Sequence, residues 1–97
     1  MKYWLYPESA EDHTKQVAYY EQMQPGLDRR YHTEFQNLIA WVCATPDRSR
    51  IILAPDIRRA MFKFFHFDLI YRALNGQVQV LAIAHHCRQP GYWSARL

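Results

Sequence analysis

Asn75-Gly76 stands between two β-rich runs, FDLIYRAL before it and QVQVLAIAH after it. A two-residue type I′ loop needs positive φ at both central residues, and Asn-Gly supplies it at least cost. The runs are therefore predicted to form an antiparallel hairpin, and so short a loop fixes the register. Leu74 falls opposite Gln77, Tyr71 opposite Val80 and Leu69 opposite Ala82. One face then carries Phe67, Leu69, Tyr71, Ala73, Val78, Val80, Ala82 and Ala84, and must be covered. The other carries Asp68, Ile70, Arg72, Gln79, Leu81, Ile83 and His85. It is mixed, and is expected to stay open to solvent or a partner.

The cover comes from upstream. Leu27, Tyr31, Phe35, Leu38 and Val42 step by three or four, one face of an α-helix, and Ile39 widens the stripe. Pro46 disfavours helical geometry at Thr45, so the helix stops there. Pro25-Gly26 separates it from an earlier helix with Ala10, Val17 and Tyr20 on one side and Met23 near its end. Ser9 and Asp12 are spaced as a weak capping box for that first helix. So short a break predicts an antiparallel helical hairpin. KYWLY at residues 2–6 suits a strand ended by Pro7, and IRRAMFKFF from Ile57 suits another. The predicted class is α+β, in the order β-α-α-β-β-β, with a small, largely antiparallel sheet carrying the helices on one face.

A chain of 97 residues is expected to form one domain, residues 1–97, burying about two-thirds of its unfolded surface. No run approaches the length of a membrane span, and MKYWLYPESAED lacks the apolar core of a signal peptide. With two cysteines, Cys43 and Cys87, there is no disulfide framework, and the expected compartment is the cytoplasm. Residues 1–46 hold four basic and six acidic side chains, and residues 47–97 hold eight and three. The positive charge therefore gathers in the second half.

That half ends in HHCRQPGYW. His85, His86 and Cys87 are competent metal ligands, but strand neighbours point to opposite faces, so no metal and no cofactor is expected. Cys87 beside His86 and Arg88 is read as an inert thiol, since neighbours in sequence need not meet. Metal-free RNA cleavage needs a base, an acid and cations for the phosphate. His85 or His86, Tyr92, Arg59 and Arg88 are the candidates for those roles. Set against this, Tyr92 and Trp93 suit a tail packed on the sheet, and a half-apolar, half-basic face suits an acidic amphipathic peptide.

Two stretches, AYYEQMQPGLDRRYHTEF and IRRAMFKFFHFDLIYRALNGQVQVLAIAHHCRQPGYW, resemble the RelE/ParE superfamily, the toxins of type II toxin–antitoxin (plasmid stabilisation) modules. The resemblance covers essentially the whole chain and implies a growth inhibitor neutralised by a cognate antitoxin that binds it. RelE-like members cleave mRNA on the ribosome, whereas ParE-like members inhibit DNA gyrase. The nuclease pattern implies two lysines where this chain has Arg59 and Met61, an arginine where it has Asp68, another where it has His86, and a tyrosine matched by Tyr92. His85, Arg88, Pro90 and Trp93 look more like the ParE-type ending. The resemblance thus implies gyrase as the target, with Arg58, Arg72, His85 and Trp93 as target-binding residues. The alternatives are a ribosome-dependent mRNA interferase using Arg59, His86, Arg88 and Tyr92, or an inactive member that keeps only antitoxin binding.

Overall fold

The computed structural model describes residues 1–85 and 91–96. Strand β1 (Lys2–Leu5) leads into helix α1 (Pro7–Met23) and helix α2 (Leu27–Ala44). Strands β2 (Arg50–Leu53), β3 (Ile57–Met61), β4 (Phe67–Leu74) and β5 (Gln77–His85) follow, and a 3-10 turn (Tyr92–Arg96) ends the described chain. The five strands form one sheet in the order β1-β5-β4-β3-β2. β1 runs parallel to β5, and the other neighbours are antiparallel.

The local signals act where expected. Asn75 and Gly76 both take positive φ, and β4 and β5 begin and end on the two quoted runs. Gly26, at φ 91°, turns the chain between the helices, and Thr45 caps α2 at its C-terminus. Pro7 does more than end β1: it occupies the first turn of α1, where its missing N–H costs nothing. No side chain caps that helix, so the expected Ser9–Asp12 box does not form. Ser9 is buried instead, and Met23 is exposed. Two further differences concern the third strand region. β3 stops at Met61, and Lys63–Phe65 lie in the loop before β4. β2, absent from the predicted order, is a four-residue edge strand. Its RIIL has too few positions to show an alternating face.

The hairpin holds the main correction. Leu74–Gln77 and Tyr71–Val80 pair as expected, but Leu69 lies opposite Ile83, not Ala82. Leu81 is an extra residue in β5, a bulge that reverses every later side chain. Strict alternation would have put both Leu81 and Ile83 on the open face, with only Ala82 and Ala84 under the helices. The bulge sends Ile83 under the helices and leaves Leu81 with Ala82 on the other side, so both large residues are buried.

The helix-side core joins Tyr31, Phe35, Ile39 and Val42 of α2 to Phe67, Leu69, Tyr71, Val78, Val80 and Ile83 of the hairpin. Val17 and Tyr20 of α1 close its flank. The opposite face is not simply open. Ile57, Ile70, Leu81 and Ala82 form a second small core there, roofed by Trp93 at 6% exposure.

The bulge also frees backbone groups. β1 pairs with β5 only as far as Val80, and the Tyr6 N–H donates to the Val80 carbonyl at 3.0 Å. Beyond that point side chains take over. The Ile83 N–H donates to Asp12 Oδ2 at 3.3 Å, and Arg96 Nη1 donates to the Leu81 carbonyl at 2.9 Å. Arg96 and Asp12 also form an ion pair at 2.9 Å. α1, the bulge and the C-terminal turn are thereby tied at one place.

Candidate functional site

β3 is the hinge of the site, because alternation splits its two arginines between the faces. Arg58 sits opposite Tyr71, on the helix side, and Arg59 sits opposite Ile70, on the far side. Arg58 Nη1 donates to the carbonyls of Asp47, at 3.1 Å, and Ser49, at 2.6 Å. The Tyr71 hydroxyl donates to the Pro46 carbonyl at 2.9 Å, and burial pushes its pKa up. Arg58 and Tyr71 therefore fasten the loop between α2 and β2. That guanidinium edge holds backbone.

On the far side, Arg72 pairs across the hairpin with Gln79. Its Nε donates to Gln79 Oε1 at 3.1 Å and its Nη2 to the Tyr6 hydroxyl at 2.9 Å. It keeps its charge at the surface, but in a fixed pose. Arg59 differs. Its cross-strand neighbour on β2 is Arg50, also a cation. Among the described residues neither guanidinium has a hydrogen bond or an ion pair. Like charges directly opposite on a sheet are destabilising, so the pair forms a cationic strip at the β2–β3 edge without local compensation. Arg50 escaped the sequence reading because its strand did. Only with β2 in place do the two arginines meet.

The C-terminal residues divide. Trp93 is buried in the second core, the packing position its aromatic character suits. Tyr92 lies partly buried against that same core, and the Arg96 guanidinium carbon sits 5.2 Å from its ring centroid. Tyr92 and Arg59 thus belong to the same side of the sheet. His85 does not. The bulge turns it under the helices, where its ring meets Phe67 edge-on at 5.0 Å. Strict alternation from the turn would put His85 on the open face, and the bulge puts it on the other. His86 and Arg88, like Cys87, lie outside the described residues.

Chemically, the described far side offers cations, a tyrosine, the Asp68 carboxylate and an apolar patch. Such a surface can bind anionic groups beside apolar ones. Among the described residues no cluster of three or more His, Cys, Asp or Glu side chains is spaced to hold a metal ion. No helix is long and apolar enough to cross a membrane.

No protein-family model and no curated protein sequence matches the chain. Solved structures do. A chain of the chromosomal ParDE TA system from P. aeruginosa superposes with a TM-score of 0.75 at 16% identity, over 88% of this chain and 95% of that one. The isolated E. coli RelE toxin superposes with a TM-score of 0.60 at 11% identity, over 98% and 94%. The chain therefore has the fold of the RelE/ParE superfamily, and it lies nearer the ParDE structure than the RelE one.

Proposed function

We propose that the chain is the toxin of a type II toxin–antitoxin module, neutralised by a cognate antitoxin, and that it arrests growth by binding DNA gyrase rather than by cutting RNA. The observation that carries this reading is the near full-length likeness to the ParDE chain, closer in TM-score than the likeness to RelE. The far side of the sheet supports it. Arg50, Arg59 and Arg72 offer binding charge, while His85, a candidate base, has turned to the other face. The test is induction without antitoxin, with DNA and protein synthesis followed by pulse labelling. DNA synthesis should fall first, and purified protein should inhibit gyrase supercoiling. Unimpaired supercoiling at large excess of protein rejects the gyrase target.

One observation favours a second reading, a ribosome-dependent endoribonuclease: Arg59 and Tyr92 share a side of the sheet. That reading requires Tyr92→Phe to abolish toxicity while the fold survives. Under the gyrase reading the same variant keeps its toxicity.

A further inference from the structure

We propose that Trp4, Tyr6, Arg72 and Gln79, on the far side of the sheet toward its β1 edge, form a binding subsite for a nucleoside phosphate, with the base stacked on Trp4 and the phosphate held by Arg72. The register brings these residues together. Trp4 pairs with Gln79, and Gln79 with Arg72, so one row of side chains crosses β1, β5 and β4. Tyr6 follows Trp4 by two positions and shares its face. The two rings meet edge-on, with 4.8 Å between centroids. The Tyr6 hydroxyl accepts from Arg72 Nη2 at 2.9 Å, and Gln79 Oε1 accepts from Arg72 Nε at 3.1 Å.

Hydrogen bonding decides what the subsite can take. A guanidinium has only donors, so Arg72 fixes the Gln79 amide with its oxygen inward and its NH2 outward. The Tyr6 oxygen is likewise used as an acceptor, which leaves its proton to donate. Among the described residues Arg72 Nη1 has no hydrogen-bond partner, and no carboxylate pairs with this cation. What stays free is a guanidinium edge, an amide NH2 and a phenol O–H. All three are donors, so their complement is rich in acceptors and negative, as a phosphate is. Trp4 adds the second requirement. It is 46% exposed, and among the described residues Tyr6 is the one ring it meets. That contact is edge-on, so a stacking position on the indole stays open for a flat ring such as a base. Trp4 and Arg72 stand two strands apart, roughly 10 Å, a span that a sugar can bridge between a stacked base and its phosphate. An inorganic anion answers the donors alone. A nucleotide joins ring and anion in one unit.

The subsite does not rest on the gyrase reading, and its test reads binding rather than toxicity. The chain has three tryptophans, Trp4, Trp41 and Trp93, so isotope-labelled protein gives one indole N–H resonance for each. Titration with AMP should shift the Trp4 resonance to saturation and leave that of Trp41, on α2, in place. Adenosine and inorganic phosphate each carry half of the ligand, and each should bind at least about tenfold more weakly. Arg72→Gln and Trp4→Ala should each weaken AMP binding about tenfold or more, the scale of one lost charged contact or base stack. Trp4→Phe keeps a platform and should retain most of the affinity. Lys15→Glu, a charge change at an exposed position of α1, should leave binding unaltered, and circular dichroism should match the parent throughout. An oligoadenylate of about five nucleotides that binds more tightly than AMP through the same resonance gives the site to a strand. Equal affinity gives it to the free nucleotide, and both results support the subsite. No shift of Trp4, or equal loss from Lys15→Glu, overturns the proposal. So does inorganic phosphate binding as tightly as AMP, which would leave only an anion site. O-phosphotyrosine binding as tightly as AMP also overturns it and would give the site to a phosphopeptide.

Discussion

The Asp12 carboxylate and the Arg96 guanidinium each meet backbone that the β5 bulge left without a strand partner. Their side chains are only 12% and 14% exposed, so each compensates the other's loss of water. Removing one partner of a mostly buried pair leaves an uncompensated charge, and here also an unpaired N–H. Asp12→Ala should therefore cost about 2–3 kcal/mol, seen as a lower urea midpoint. Asp12→Asn keeps an acceptor for Ile83 and should cost less. Equal midpoints for Asp12→Ala and the parent would show that the clasp adds nothing. A second residue-scale effect lies between the helices. His13 Nδ1 shares a hydrogen bond with the Tyr31 hydroxyl at 3.3 Å, and its ring packs on Phe35 at 4.5 Å. Burial, and then the nearby His32, hold its pKa below the ordinary value. The unfolded chain thus takes up the proton first as pH falls. Stability should be level above the ordinary histidine pKa of about 6.5 and decline as pH drops below it, until the folded form also protonates. Urea melts at neutral and mildly acidic pH should show the decline, and His13→Gln should flatten it.

At the scale of elements, what could be read in the sequence was what is decided locally. Pro25-Gly26, Pro46 and Asn75-Gly76 set their boundaries through their own backbone preferences, and the helices and the hairpin followed. The Leu81 bulge was not legible, because the groups that satisfy it, Asp12 and Arg96, come from opposite ends of the chain. From that single residue followed the misplacing of Ala82, Ile83, Ala84 and His85. β2 was hidden by its brevity, and with it Arg50, the fixed role of Arg58 and the cationic strip. Trp93 showed an amphipathic aromatic, but only the second core explains why it turns inward. The bulge makes its own prediction. Ile83, 1% exposed under the helices, should cost about 2–4 kcal/mol when cut to Ala, as a core residue does. Strict alternation would place Ile83 on the far side, where the same change costs little. A urea midpoint unchanged by Ile83→Ala would contradict the register.

Across the whole molecule, one side of the sheet is consumed by α1 and α2, and the far side is half consumed by the C-terminal turn. The uncovered part lies toward β2 and β3, where Arg50 faces Arg59. The excess positive charge of the second half of the sequence thus has a location, and a cost to the fold accompanies it. Opposed cations on neighbouring strands lower stability, and the same pair supplies charge to the surface proposed to meet the target. Arg50→Glu separates the two effects. It converts the repulsive pair into an attractive one, which on a cross-strand scale is worth about 0.2–1 kcal/mol. Solvent screening at this exposed position keeps the gain toward the low end. The same change removes a cation from the surface proposed to meet the target. The variant should unfold at a slightly higher urea concentration than the parent, yet arrest growth less at equal expression. Adding Arg59→Glu should abolish the arrest and restore repulsion, now between two anions. A variant that gains stability and keeps full toxicity would show that the strip is only a strained edge. The target surface would then lie elsewhere.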